Sequence, residues 1–440
     1  ILQWPLRNVG QRYPHILRRD GPYNDSLIVV RGTSGADIDA HSVLSNPPDN
    51  TSTVVIAIID TGVDMDHPDL AGKIWQNPGE IAGNGIDDDH NGFVDDYRGW
   101  DFTGDNSTTP VTEDNDPSDE FGHGTHCAGI AASITGNSEG ITGIHPDCKI
   151  MPVKFYPLML SSYAAKSIIY AADNGADIIS MSFGYPWPVE ILEDALDYAR
   201  AKGVILCTAT GNNSREYYNY PGAYAQVISV GASTSDDEVA FFSTYGDYMN
   251  IVAPGYSILS LHGNGTDMYA PDEPGVHIFQ DDYYIASGTS MSSPHAAGVI
   301  AYMLSLSPGL THDKAQEIMQ ATAEDILDPF GLGQDLPGWD KYSGHGRINL
   351  ANAIAAVPSI RARIESPIPN QLIEGNIDIA GIADGDEFIG YTLEYGHGDI
   401  PDAWTIFNES QAPVSGGNLG TLNTAGLNGK YTIRLMVGDY

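Results

Sequence analysis

Ser290 lies in Gly288-Thr289-Ser290-Met291-Ser292-Ser293-Pro294, just where an apolar helical run (Ala296, Ala297, Val299, Ile300, Met303, Leu304) begins. A helix N-terminus offers unpaired backbone N–H groups and the positive end of a dipole, and both suit an oxyanion forming beside the serine. Pro294 fits this placement if the helix has only just started, because its missing N–H then costs nothing. Far upstream, Asp60-Thr61-Gly62 closes an apolar run, and Gly122-His123-Gly124-Thr125-His126 opens a small-residue helix. Together these side chains could carry out nucleophilic acyl chemistry. Ser290 must lose its proton to attack a carbonyl. His123 can take that proton and return it to the leaving group, because imidazole titrates near neutrality. Asp60 would hold the ring tautomer and stabilise the imidazolium.

Such a set needs a rigid frame. Residues 53–60 form a continuous apolar run of strand length ending on a carboxylate, which suits a central parallel strand covered on both faces. Strand-like and helix-like stretches then alternate: 150–155, 161–174, 177–182, 189–202 and 204–208, with further strands at 227–230 and 251–253. This predicts an α/β fold with a doubly wound, mainly parallel sheet and chemistry at the C-terminal strand ends, where Asp60, Ser182 and Asn212 fall. Residues 311–322 and 344–356 read as helices, and 1–50 as a wrapped arm rather than core. The composition shifts near Ala356. The expected division is a catalytic domain over 1–356, a proline-punctuated linker over 357–367, and a small antiparallel β-sandwich over 368–440. The sandwich strands are expected at 377–382, 389–395, 404–407 and 431–437, with no obvious last strand.

The 440 residues carry 58 Asp+Glu against 20 Lys+Arg, a net charge of −38, which argues against nucleic acid or an anionic membrane as partner. No apolar run approaches the length of a membrane span. Three cysteines (Cys127, Cys148, Cys207) cannot build a disulfide framework. The chain opens on Ile1 without an apolar signal core, which reads as a processed product. Asp87, Asp89, Asn91, Phe93 and Asp96 space oxygen ligands around Gly92, which suits Ca²⁺. Only the first half resembles an EF-hand loop, since position twelve falls on Arg98.

The three catalytic segments, in the order Asp, His, Ser, resemble those of the subtilases, the subtilisin-like serine peptidases. An α/β-hydrolase esterase would instead want G-x-S-x-G and the order Ser, Asp, His. A binding protein with a dead site would not keep Asp60, His123 and Ser290 intact. The resemblance implies that Asn212, in Ala209-Thr210-Gly211-Asn212, supplies the oxyanion amide. It implies that Ser182, Phe183 and Gly184 pair with extended substrate and line the main pocket, with Ala209, Thr210 and Gly211 opposite and Asn219 at the floor. No carboxylate falls on the positions that would recognise a basic side chain, so apolar or aromatic residues before the scissile bond are expected. It also implies a second calcium site from Asp69, Ile134, Asn137, Glu139 and Ile141, with Gln3 beside it. The arm from Gln3 to Gln11 resembles a kexin-type mature N-terminus, and Cys127 resembles the thiol of proteinase K and the kexins, read here as a buried inert hydrophobe. His67, His126 and His295 read as structural. The expectation is therefore a secreted, calcium-dependent, monomeric endopeptidase acting on polypeptides, with its own propeptide already removed.

Overall fold

The computed structural model describes residues 3–9, 12–17, 26–48, 52–104, 112–137, 140–145, 147–270, 277–279, 281–326, 337–385 and 388–438. Strands β1 (Arg12–Leu17) and β2 (Ser26–Arg31) form an antiparallel hairpin, followed by helix α1 (Ala40–Ser45). The reading of 1–50 as an arm outside the core is corrected: Trp4, Ile38, Ala40 and Val43 are buried in the main core. Polar anchors hold them there. Trp4 Nε1 donates to Tyr256 O at 3.2 Å, and the buried Arg347 donates to Gly35 O at 3.1 Å while pairing with Glu324 at 2.6 Å.

The central layer follows: β3 (Val55–Asp60), β4 (Trp100–Asp101), α2 (His123–Ala132), β5 (Lys149–Lys154), α3 (Ser161–Asp173), β6 (Ile178–Met181), α4 (Glu190–Ala201), β7 (Ile205–Ala209), β8 (Ile228–Ser233) and β9 (Ile251–Pro254). These seven strands make one parallel sheet in the order β4-β5-β3-β6-β7-β8-β9. Successive side chains of a strand point to opposite faces. Ile56 and Ile58 of β3 accordingly join a core with α2, while Ala57 and Ile59 join the one with α3 and α4. Coverage on both faces is why the strands read as unbroken apolar runs.

A three-stranded antiparallel sheet the sequence reading did not anticipate, β10 (Ile258–Leu261) with β11 (Ile278–Phe279) and β12 (Tyr283–Ala286), packs beside α2. Then come α5 (Thr289–Leu306), α6 (His312–Thr322) and α7 (Leu350–Ala355). Pro294 sits inside α5 rather than in its first turn, which corrects that expectation. Its missing N–H leaves Ser290 O without its helical donor. Ser182 Oγ at 2.8 Å and Cys127 Sγ at 3.4 Å donate to that carbonyl instead.

The C-terminal strands are β13 (Arg361–Ser366), β14 (Asn376–Asp384), β15 (Gly390–His397), β16 (Thr405–Ser410), β17 (Val414–Asn423) and β18 (Tyr431–Gly438). They form two antiparallel sheets, β13-β14-β17 and β16-β15-β18, sharing one apolar cluster around Ile379, Leu393, Leu419 and Leu422. The linker over 357–367 is corrected, because β13 lies within it and pairs with β14. Ion pairing explains the difference: Arg361 binds Asp384 through two hydrogen bonds of 2.7 and 2.5 Å, so a charged stretch serves as an edge strand. Among the described residues, no helix is long and apolar enough to cross a membrane.

Candidate active site

Asp60 ends β3 at the C-terminal edge of the sheet, and His123 opens α2 across from it. His123 Nδ1 lies 2.6 Å from Asp60 Oδ1, with Asp60 buried and the histidine ring 19% exposed, open enough to meet a substrate. Thr61 N–H also donates to Asp60 Oδ1 at 2.8 Å, which fixes the carboxylate. Burial pulls the His123 pKa down, but the charge and hydrogen bond of Asp60, with Asp119 beyond, outweigh it and raise the value above the ordinary one. The ring is thus poised to accept a proton. Ser290, the second residue of α5, stands above Cys127, whose sulfur lies within 4.8 Å of both Asp60 and His123 ligand atoms. Its hydroxyl donates to Ser182 O at 3.2 Å. Among the described residues no hydrogen bond joins Ser290 Oγ to His123. Catalytic bonds of this kind are often long in ligand-free enzymes and tighten with substrate.

Asn212 is held by its oxygen: Oδ1 accepts from Thr289 N at 2.9 Å and from Thr289 Oγ1 at 3.1 Å. That leaves the amide N–H₂ as the group available beside Ser290. Thr289 Oγ1 also accepts from Gly211 N at 3.0 Å, so one threonine sets both the amide and the turn carrying it. Sequence reasoning gave Thr289 no role of its own, because its bonds to Asn212 and Gly211 exist only in the fold. His126 is fully buried, its Nε2 3.1 Å from the carbonyls of Ile258 and Tyr284. Burial first, then the nearby His123, push its pKa down to about 3, so it stays neutral. Burial likewise raises the Cys127 thiol far above its usual range, which keeps it inert.

The subtilase family model matches residues 51–346. The chain belongs to the subtilase family. A thermophilic serine proteinase from Bacillus sp. (strain AK1) is 36% identical over 302 residues, covering 68% of this chain and 61% of that protein. Thermitase from Thermoactinomyces vulgaris is 34% identical over 302 residues, 68% of this chain and 88% of that one. Among solved structures, a protease from Pseudoalteromonas arctica PAMC 21717 superposes with a TM-score of 0.58 at 25% identity, covering 73% of this chain and 94% of the other. The catalytic unit of this subtilase is that of a subtilisin-like serine endopeptidase.

Of the residues assigned to the substrate walls, Ser182 bonds Ser290 and Gly211 bonds the adjoining Thr289. Tyr185 and Tyr220 exchange backbone hydrogen bonds of 2.6 and 2.9 Å, which ties the Ser182-Phe183-Gly184 wall to the segment bearing Asn219. Asn219 fills the slot between the walls: a Cβ added at Gly184 would lie 2.1 Å from its Nδ2, and one at Gly211 3.0 Å. Thr210 and Ala209 are buried behind the turn. Phe183 packs on Phe155, with ring centroids 4.6 Å apart, in the buried core with α3 and α4.

The subtilase's acidic loop divides in two. Glu80, Asp87 and Asp89 place carboxylate oxygens within 4.8 Å of one another, and among the described residues Glu80 Oε2 is buried with no hydrogen-bond partner. An all-oxygen set with an orphaned buried anion fits Ca²⁺. Glu80 was missed in the sequence because it lies outside the loop's own spacing. Asp96, outside this set, accepts from Tyr170 at 2.8 Å, Asn77 at 2.8 Å and Asn91 at 3.0 Å. Asn91 and Phe93 instead shape the turn, Phe93 N donating to Asn91 Oδ1 at 2.8 Å.

The residues of the second expected calcium site gather around Asp69. The Asp69 carboxylate accepts from Asn137 Nδ2 at 2.7 Å, Ile141 N at 3.1 Å and Tyr283 OH at 3.2 Å. Ile134 N–H bonds Asp69 O at 2.9 Å, and Gln3 spends both ends of its amide on Thr142. Glu139 lies outside the described residues.

Proposed function

We propose that this chain hydrolyses internal peptide bonds of extended polypeptides through an acyl-enzyme on Ser290. The observation that carries the reading is the 2.6 Å Asp60–His123 contact beside a serine at a helix N-terminus. His123 acts as general base for Ser290 and then as general acid for the leaving amine. Asp60 keeps the Nδ1–H tautomer and steadies the imidazolium. Asn212 Nδ2 and the Ser290 N–H receive the oxyanion. Substrate backbone docks along Ser182-Phe183-Gly184 as an added strand. We take the enzyme to be secreted and monomeric.

Specificity is read from the slot. The absence of a carboxylate among the residues assigned to it favours apolar residues before the scissile bond, and Asn219, which sits between Gly184 and Gly211, limits their depth. Cleavage of a peptide library tests this. The expected profile favours apolar residues at that position, and Asn219→Gly shifts it toward aromatic ones. A wild-type preference for Arg or Lys would refute the pocket assignment.

Calcium belongs to the same reading, held by Glu80, Asp87 and Asp89, where it supplies charge neutralisation and fold stability. Chelation is expected to lower the Tm, and added Ca²⁺ to restore it. Glu80→Gln should weaken the calcium-dependent rise in Tm. A Tm indifferent to EDTA would remove calcium from the account.

A further inference from the structure

Asp119 appears in no motif, yet it sits at the junction of the elements that present Asp60 and His123. Its Oδ1 accepts from Thr61 Oγ1 at 2.9 Å, Phe121 N at 2.9 Å and Gly122 N at 2.8 Å. Its Oδ2 accepts from Thr125 N at 2.9 Å and Thr125 Oγ1 at 2.6 Å. Thr61 Oγ1 closes the link by accepting from Gly124 N at 2.9 Å. The residue following Asp60 is thereby joined through one carboxylate to the residues on both sides of His123. Gly122 makes the tight approach possible: it lies at φ 101°, and a Cβ there would fall 2.5 Å from Thr266 Oγ1.

We propose that Asp119 is the positioning residue that sets the distance and angle between the Asp60 carboxylate and the His123 imidazole. The inference rests on the peptidase reading above. Five donors on two oxygens need a full carboxylate. An amide at the same place has one acceptor oxygen, and its N–H₂ would face donors on the other side. Losing either set lets the first turn of α2 move relative to the end of β3, and catalytic groups tolerate little displacement. The charge also acts at a distance. The ionisable groups around His123 are Asp60 from β3, Asp119 from the preceding loop, and His126 and Cys127 from its own helix. His126 stays neutral, Cys127 stays protonated, and the two carboxylates favour the imidazolium.

The test compares wild type with Asp119→Asn, Thr61→Ser and Thr61→Val, following kcat, KM and the pH profile of kcat/KM on one peptide, with fluorophosphonate titration of Ser290. For Asp119→Asn we expect kcat to fall on the order of 100-fold with KM within about twofold, and the acid limb to move to lower pH. Thr61→Ser, which keeps the hydroxyl, should match wild type, while Thr61→Val falls in the same direction as Asp119→Asn. If Asp119→Asn does not fold, the Thr61 pair decides alone. An Asp119→Asn enzyme with unchanged kcat and acid limb, a loss confined to KM, or equal behaviour of the two Thr61 variants would overturn the positioning role. A wild type that neither cleaves peptides nor reacts at Ser290 would overturn the peptidase reading instead.

Discussion

Asp60→Asn is expected to fold normally and lose about 10⁴ in kcat, the size of loss known for triad aspartates in serine peptidases of this fold and an unrelated one. The reason is local. Asp60 Oδ1 receives both His123 Nδ1 at 2.6 Å and Thr61 N at 2.8 Å, so the carboxylate is fixed before it orients the ring. An asparagine could present its amide nitrogen to Nδ1, which would favour the wrong tautomer and remove the charge that steadies the imidazolium. The pH profile offers a second readout with a definite sign. The working base is neutral imidazole, so activity is lost as pH falls through the His123 pKa. Burial lowers that pKa and Asp60 more than restores it, so the acid limb of wild-type kcat/KM should lie above the ordinary histidine value of 6.5. In Asp60→Asn the limb should move to lower pH. Circular dichroism that matches wild type, with kcat reduced less than tenfold, would refute the role.

The second large effect is at Asn212. Asn212→Ala should lower kcat by about 10²–10³, or roughly 3–4 kcal/mol, with little change in KM, a range established on a subtilisin oxyanion donor. The split between kcat and KM matters, because the amide meets charge that exists only in the transition state. Thr289→Val should show a smaller loss of the same kind, since Thr289 anchors Asn212 Oδ1 through both its N–H and its hydroxyl and the variant keeps the first. Combining the two changes should cost little more than Asn212→Ala alone, because Thr289 acts through the amide. Additive losses would assign Thr289 an independent role.

Much of the fold was legible because the sheet is buried on both faces. Ile56, Ile58 and Ile59 have to be apolar whichever way they point, and a strand of that kind announces itself. The exposed and charged elements were harder. β13 reads Arg-Ala-Arg-Ile-Glu-Ser, where only Ala362 and Ile364 alternate with charged residues, and the ladder with β14, tied at one end by the Arg361–Asp384 pair, makes it a strand. The N-terminal arm misled for the opposite reason: Trp4 and Ile38 are isolated apolar residues among Pro, Gly and Asp, and their burial depends on partners hundreds of residues away. In the site, residues carried by motifs could be named in advance. Asp119, Thr289 and Glu80 could not, since each acts through contacts made only on folding. The position of Asp119 just before a helix start was the one local hint.

The account stands on Ser290 being the nucleophile that His123 activates. Incubation with a fluorophosphonate, followed by peptide mass spectrometry of wild type, Ser290→Ala and His123→Ala, tests that directly. The account predicts a single adduct on Ser290 in wild type, none in Ser290→Ala, and labelling of His123→Ala slowed by orders of magnitude, with casein hydrolysis lost in both variants. Full casein hydrolysis by Ser290→Ala, or an adduct at another residue that accompanies loss of activity, would contradict it.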